Sequence, residues 1–297
     1  MNVTSARLWD APVGDASAPR RYMIADVFTD TPLQGNQLAV FTDGRGLPAR
    51  QMQRAARELN LSETVFFLPP EHEGDLRIRI FTPASELPFA GHPVLGSAFL
   101  AAELLGTAQV RLETDAGLVP VELQREGEQI VSGRMEQPIP DWAPYEDAER
   151  LLTALGVAAS DLPLEVYRNG PRHVYVALGD EAAVSALRPD LGAVAGLGQF
   201  GVSCFAGSGR RWKSRNFAPA LGVAEDPATG SAAGPLAVHL ARHGRTSFGE
   251  EIEIRQGAEI GRPSVLYARA DGSADHLERV VVGGSAVVVA RGEYRLG

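Results

Sequence analysis

The stretch Glu86-Leu-Pro-Phe-Ala-Gly-His-Pro-Val-Leu-Gly-Ser-Ala-Phe-Leu-Ala-Ala-Glu-Leu-Leu-Gly106 limits what this chain can fold into more than any other. Pro93 suits a first helical position, where its missing N–H is an orphan donor in any case. Gly106 suits the left-handed residue that closes a helix. Between them Glu103 is the only charge. A helix that is apolar all round is buried all round, so the pattern predicts a helix driven through the middle of a lobe. Its N-terminus falls at Gly91-His92, where unpaired N–H groups and the positive end of the dipole favour an anion.

A second stretch, Glu225-Asp-Pro-Ala-Thr-Gly-Ser-Ala-Ala-Gly-Pro-Leu-Ala-Val-His-Leu-Ala-Arg-His-Gly244, has the same plan: a Gly-containing start, small and apolar residues, a terminal Gly. Arg242 and His243 fall in its last turn, where positive charge suits the dipole. Pro235 lies within about the first turn if the helix starts near Ser231, which is tolerated. Two readings stay open: a structural duplication whose two helix N-termini face one cleft, or two unrelated core helices.

The length, 297 residues, suits two domains, each able to bury a core. With 44% hydrophobic and 22% charged residues the chain reads as a soluble globular protein. A formal charge of −9 argues against nucleic-acid or anionic-membrane binding. It leaves a small anionic substrate open, because such a ligand responds to the local field. A single cysteine excludes an internal disulfide framework, a multi-cysteine zinc site and any mechanism that needs two thiols from one chain. No apolar run reaches membrane-spanning length and no secretory h-region is evident, so a cytoplasmic location is expected.

Along the chain, residues 1–20 lack periodicity and are expected to form a mobile extension. Strands are expected at 21–28, 38–41, 61–68 and 76–80, and a helix over Leu47–Leu59. After the core helix come strands near 109–114 and 118–124. Gly, Pro and polar residues between Gly127 and Pro144 mark the expected change of lobe. A helix over Asp147–Leu155, strands at 165–168 and 173–178, short helices near 181–187 and 190–197, and strands at 201–206 and 212–217 lead to the second core helix. Hairpins fill 251–269 and 277–296. The pattern is α+β, without regular βαβ alternation.

Several motifs have plainer explanations than their chemistry suggests. Gly196-Leu-Gly-Gln-Phe-Gly201 matches a dinucleotide fingerprint but has the helix before it and the strand after, the reverse of what phosphate binding needs. His239 and His243 have the i, i+4 spacing of a zinc pair, yet no third ligand is evident, so helix-end packing is the better account. Arg210-Arg-Trp-Lys-Ser-Arg215 in an acidic chain reads as a solvated strand face, although Arg215 can reach a carboxylate. Cys204 reads as a core residue. Ser231 does not sit in a nucleophile elbow and suits an N-cap or an anion-binding hydroxyl. Glu63 stands among Leu61, Val65, Phe66 and Phe67, where desolvation would suit it to take up and return a proton. The competing reading is that Glu63 faces water from an edge strand. His92 and Asp226 flank the starts of the two core helices, as site residues or as plain caps.

At these residues the chain becomes recognisable. Asp26-Val-Phe-Thr-Asp-Thr-Pro-Leu-Gln-Gly-Asn36, Leu61-Ser-Glu-Thr-Val-Phe66, Phe81-Thr-Pro-Ala-Ser-Glu-Leu-Pro-Phe-Ala-Gly-His-Pro-Val-Leu-Gly96 and Glu225-Asp-Pro-Ala-Thr-Gly-Ser-Ala232 together resemble the PhzF-like (phenazine-biosynthesis) family, from about residue 21 to the end. The resemblance implies the diaminopimelate epimerase-like fold: two pseudo-symmetric lobes, each a curved sheet around a central helix. Their expected limits are 21–130 with 284–297, and 131–283. It also implies a C-terminal strand that returns to the first lobe, and a homodimer. The family's chemistry is isomerisation of trans-2,3-dihydro-3-hydroxyanthranilate by moving a proton between carbons. Carried over by position, Glu63 is the acid/base, with His92 and Asp226 beside it. Gly91, Gly230 and Ser231 contact the substrate, and Asn36 and Arg215 complete the expected contacts. Where related epimerases carry two thiols, this chain has Ala90 and Thr229. Gln37 departs from the Pro that many relatives place after Gly-Asn, which bears on substrate identity.

The expected function is therefore a cofactor-independent and metal-independent isomerase of a small carboxylate-bearing molecule. Two other classes stay open: a binding protein that keeps the fold without turnover, and an epimerase or racemase with a second, non-thiol base.

Overall fold

The computed structural model describes Trp9 and residues 18–296, so most of the expected N-terminal extension lies outside the described residues. The chain forms two compact units, one running to Glu136 and resuming at Gly283, the other spanning Gln137–Val282.

The first unit contains β1 (Arg20–Val27), β2 (Asn36–Phe41), α1 (Ala49–Leu59), β3 (Glu63–Leu68), β4 (Leu76–Phe81), β5 (Glu86–Leu87), α2 (Gly91–Leu105), β6 (Gln109–Thr114), β7 (Gly117–Glu126) and β8 (Gln129–Gln137). A last strand, β18 (Ala286–Tyr294), returns to lie antiparallel to β1, with Arg20 opposite Tyr294 and Val27 opposite Ala286. On its other side β1 pairs with β2. β3 runs parallel to β2, placing Glu63 beside Leu38, and is covered on its far side by antiparallel β4. Glu63 is thus the first residue of an interior strand, not of an edge.

Helix α2 packs against β1, β2, β3, β6, β7 and β18. Gly91 through Ala102 and Leu105 are buried, and only Glu103 and Leu104 reach water. Gly106 closes it in the left-handed region at φ 67°. The helix starts at Gly91, so Pro93 is its third residue rather than its first. The physical licence is unchanged, since no N–H of the first turn has an intrahelical acceptor. Two glycines set how closely the helix approaches the strands. A Cβ on Gly96 would lie 2.7 Å from carbons of both Leu38 and Val27. A Cβ on Gly133 of β8 would lie 2.8 Å from Phe99 and 2.9 Å from Leu95. Gly133 therefore marks close packing and not a turn. The region 127–144, where the change of lobe is expected, does contain the division between the units, at Glu136 and Gln137, but it is not a polar loop: it holds β8 and the whole of the second unit's first strand, Asp141–Pro144. The inward β8 positions Gly133, Met135 and Gln137 alternate with exposed Arg134 and Glu136, but a glycine and a glutamine mute the apolar contrast that reveals a strand.

The second unit contains β9 (Asp141–Pro144), α3 (Ala148–Leu155), β10 (Glu165–Arg168), β11 (Arg172–Ala177), α4 (Glu181–Ala186), α5 (Leu191–Ala195), β12 (Gly201–Ser208), β13 (Arg211–Ala218), β14 (Val223–Asp226), α6 (Gly230–Arg242), β15 (Ile252–Gln256), β16 (Ser264–Gly272) and β17 (Leu277–Gly284). Register aligns Glu165, Tyr175, Ser203, Asn216 and Asp226 in one row across β10 to β14. Because side chains alternate along a strand, residues offset by one face the other way. Val174, Val176, Val202, Cys204 and Phe217 accordingly join the apolar cluster built with α3, α4 and α5. The row of polar and aromatic residues belongs to the α6 side, where the Tyr175 hydroxyl donates to the Ala232 carbonyl at 2.7 Å.

Helix α6 begins at Gly230, which puts Pro235 inside it. A proline there leaves the carbonyl four residues back without its N–H partner. That carbonyl belongs to Ser231, and the Asn169 amide donates to it at 3.1 Å. Gln137 likewise donates to the Gly230 carbonyl at 2.9 Å. The first turn is thus satisfied from outside the helix, as a buried backbone requires. At the far end the Arg245 N–H reaches the Leu240 carbonyl past Gly244, whose φ is 66°.

Candidate active site

In the first unit, three expected residues meet at the start of α2. A tight loop after β1 delivers Asn36: Asp26 accepts from the Leu33 N–H at 2.7 Å, and Thr29 accepts from the Thr31 N–H at 3.0 Å. Gly35 has φ 68°, and a Cβ there would lie 2.4 Å from the Val27 carbonyl oxygen. Only glycine tolerates both demands. The turn leaves Asn36 1% exposed, with its amide nitrogen 3.3 Å from His92 Nδ1. Glu63 Oε2 lies 3.2 Å from the same nitrogen. The side chains of His92 and Glu63 are 4% and 14% exposed, so the contact is shielded but reachable.

Burial pushes the His92 imidazole down to about 3, against a backbone hydrogen bond at Gln37 that works the other way. The ring is therefore neutral at physiological pH. A bare Nδ1 accepts from the Asn36 amide. Glu63 Oε2 lies beside the same nitrogen as a close contact and not a hydrogen bond, and the neutral ring puts no fixed positive charge next to the carboxyl. Gln37 itself turns its side chain outward.

No side chain caps α2, whose N-cap is Ala90. His92 is therefore not a cap, and the N–H groups of Gly91 and His92 head the helix as the anion reading needs.

The second unit repeats the arrangement at α6. Its N-cap is Thr229, again without a side-chain cap. Ala90 and Thr229 thus occupy the same place, the N-cap, on the two helices. Thr229 is held by its neighbours. Its hydroxyl donates to Asp226 at 2.6 Å and accepts from Gln256 at 2.9 Å, while its N–H donates to Gln256 Oε1 at 3.2 Å. Asp226 ends β14 opposite Asn216 and serves this network rather than a cap. Ser231 is 6% exposed, and its hydroxyl lies 3.0 Å from His173 Nε2.

Arg215 requires a correction. It does reach a carboxylate, but an internal one: Glu225 accepts from Nε at 2.9 Å and from Nη2 at 2.8 Å. Nη1 donates to the carbonyls of Leu187 at 2.8 Å and of Val184 and Ser185 at 3.3 Å. Register places Arg215 opposite Cys204, on the apolar-cluster side of β13 and away from α6. It is a tether for α4, not a substrate contact.

The histidine pair also has more company than its spacing revealed. Glu165 of β10 accepts at one oxygen from Arg242 at 2.8 Å and lies 3.1 Å from both His239 Nδ1 and His243 Nε2. The three ligand-type atoms lie within 4.8 Å of one another, but Arg242 already presents a cation to that carboxylate while stacking 4.2 Å over Trp142. Burial raises the Glu165 carboxyl, and His239, Arg242, His243 and Tyr167 together outweigh it, holding it well below the usual range. This latch fixes the C-terminal end of α6. Its acid comes from 74 residues upstream of His239, a separation no local pattern bridges. Cys204 is buried, and its thiol is pushed up to about 12, which confirms a core role.

His173 and Asn169 were missed as site residues. The strand 173–178 reads as apolar, so the alternation of His173 and Tyr175 onto one face was the available signal.

The fold is that of the diaminopimelate epimerase-like proteins; a hydroxyproline epimerase from Agrobacterium vitis, 12% identical, superposes with a TM-score of 0.62 over 93% of this chain and 92% of that one. A phenazine biosynthesis protein of the PhzF family from Bacillus anthracis, 24% identical, superposes with a TM-score of 0.80 over 93% of this chain and 99% of its own. The protein is an isomerase of that architecture. It belongs to the phenazine biosynthesis-like family, whose model matches residues 25–292. The trans-2,3-dihydro-3-hydroxyanthranilate isomerase of Pseudomonas chlororaphis is 54% identical over 271 residues, 91% of this chain and 98% of the relative. Among the described residues no helix is long and apolar enough to cross a membrane.

Proposed function

We propose that this isomerase acts on trans-2,3-dihydro-3-hydroxyanthranilate, with Glu63 moving a proton between two of its carbons. Glu63 takes a proton from a carbon acidified by conjugation and returns it to another carbon of the same molecule, so substrate and product balance without a co-reactant. His92 stays neutral throughout, which keeps positive charge from pinning Glu63 in its ionised form. Asn36 fixes the ring through its Nδ1. The N–H groups of Gly91 and His92 offer a place for the negative charge that develops as the carbon loses its proton. Ser231 and the start of α6 supply contacts to the substrate's polar groups. The observation that carries this reading is the 3.2 Å contact between Glu63 and His92 at an uncapped helix start.

The test is proton exchange. Incubated with this substrate in heavy water, the parent protein is expected to yield product carrying deuterium at the carbon that gains the proton. Glu63→Gln keeps the side chain's shape but is a far weaker base, and is expected to lose turnover and label by on the order of 10³-fold with its fold intact. Label at the parental rate in that variant would remove Glu63 from the mechanism.

A further inference from the structure

The contact between His173 and Ser231 carries a consequence for how the site recognises negative charge. His173 begins the α6-facing row of β11 and lies beside Gly201 of β12 in register. It is 3% exposed, and burial pushes its pKa down to about 4, so the ring is neutral. A neutral imidazole carries a single N–H, on one nitrogen or the other. Nε2 lies 3.0 Å from the Ser231 hydroxyl. Nδ1 is buried and has no hydrogen-bond partner among the described residues, and neither has the nearby Asn216 amide. The backbone of Gly201 closes that side: a Cβ there would lie 2.6 Å from Nδ1.

The two tautomers are not equivalent in these surroundings. A proton on Nδ1 would leave a buried N–H with no acceptor, the rarer and costlier of the two defects. It would also make Nε2 an acceptor and draw the only hydroxyl proton of Ser231 inward. A proton on Nε2 leaves a bare lone pair at Nδ1 and makes the ring donate to Ser231 Oγ. The hydroxyl proton of Ser231 is then directed away from His173, alongside the N–H groups that open α6.

We propose that His173 is a positioning residue: as the Nε2–H tautomer it donates to Ser231 Oγ and thereby commits that hydroxyl to donating to an anionic group of the substrate, a carboxylate or an oxyanion. This deepens the proposed function and rests on its reading of Ser231 as a substrate contact. The mirror arrangement would suit a donor ligand, so His173 selects for negative charge without touching it.

Two experiments separate this inference from the reading beneath it. Nitrogen-15 NMR of imidazole-labelled protein is expected to show His173 as the Nε2–H tautomer, independently of any substrate; the Nδ1–H form would overturn the proposal. In steady-state kinetics with trans-2,3-dihydro-3-hydroxyanthranilate, His173→Phe is expected to raise KM about tenfold, the worth of one hydrogen bond, with kcat changing less. His173→Gln, which retains a donor, is expected to recover most of that loss. Ser231→Ala is expected to raise KM at least as far, and adding His173→Phe to it should change little more. Should His173→Phe fail to fold, Gly201→Ala presses on the ring from behind and is expected to raise KM in the same way. Full additivity of the Ser231 and His173 changes, or a parental KM in folded His173→Phe, would refute the positioning role. A parental KM in Ser231→Ala would instead overturn the reading of Ser231, and the proposal with it.

Discussion

Gly96→Ala tests whether the packing of α2 sets the geometry of the proton-transfer residues. In a helix interior this change alone is favourable by about 1 kcal/mol. Here the new methyl would meet Leu38 Cδ2 and Val27 Cγ2, each at 2.7 Å and each on a fully buried residue. Carbon atoms settle at roughly 3.5–4.0 Å, so the helix and strands must part by about 1 Å. Overpacking of this kind costs about 1–3 kcal/mol, which outweighs the propensity gain and leaves a folded but somewhat weakened protein. The functional loss should be larger. His92 lies one turn before Gly96 on the same helix face, Asn36 lies two residues before Leu38 on the same strand face, and Leu38 is the register partner of Glu63. A displacement at Gly96 is therefore passed to the 3.2 Å and 3.3 Å contacts at His92 Nδ1. A misplacement of about 1 Å in a catalytic constellation can cost on the order of 100-fold in rate.

The expected outcome is a kcat lower by on the order of 100-fold, read as deuterium incorporation, with urea midpoints showing a net loss of less than about 2 kcal/mol. Adding Leu38→Val removes one of the two obstructing carbons and should recover part of the rate. If Gly96→Ala proves more stable than the parent and turns over at the parental rate, the close packing of α2 does not set the catalytic geometry.

Two further changes test other supports of the fold. Asn169→Ala should strand the Ser231 carbonyl and cost about 1–3 kcal/mol in urea unfolding; adding Pro235→Ala supplies the missing N–H and should return much of that loss. Glu165→Gln should destabilise the protein at neutral pH, with a sign set by linkage: the folded carboxyl is held below its usual value of 4.5, so its stabilisation is present above pH 4.5 and fades as pH falls. The stability gap between parent and variant, measured by thermal unfolding from pH 7 down to pH 3, should narrow below pH 4.5, and a constant gap would contradict the latch.

The core helices and most strands were legible because their signals are local. An almost uncharged run between Gly91 and Gly106 specifies a buried helix wherever it lands, and the period-2 burial of Leu76, Ile78 and Ile80 is written in the sequence. β8 was not, because two of its inward residues are Gly133 and Gln137, one chosen for close approach and the other for its bond to the Gly230 carbonyl. The starts of the helices were legible to within two residues, but proline misled twice. Pro93 reads as the first helical residue but is the third, and Pro235 reads as a first-turn residue but stands in the helix interior and is made tolerable by Asn169.

At the site the same division holds, and it has a physical cause. Glu63, His92 and Asn36 each lie in a motif, and the structure brings all three to one nitrogen atom. The partners that hold the two ends of α6 come from distant strands: His173 lies 58 residues before Ser231, and Glu165 lies 78 before His243. Such pairs are fixed by how the strands pack against the helix, which one strand's pattern does not carry. Arg215 shows the converse. Its residue type and neighbourhood fit a substrate contact, yet alternation along β13 turns it away from α6 and toward Glu225. A one-residue shift in that register would have reversed the assignment, so the facing of a strand decides whether a charge becomes chemistry or scaffold.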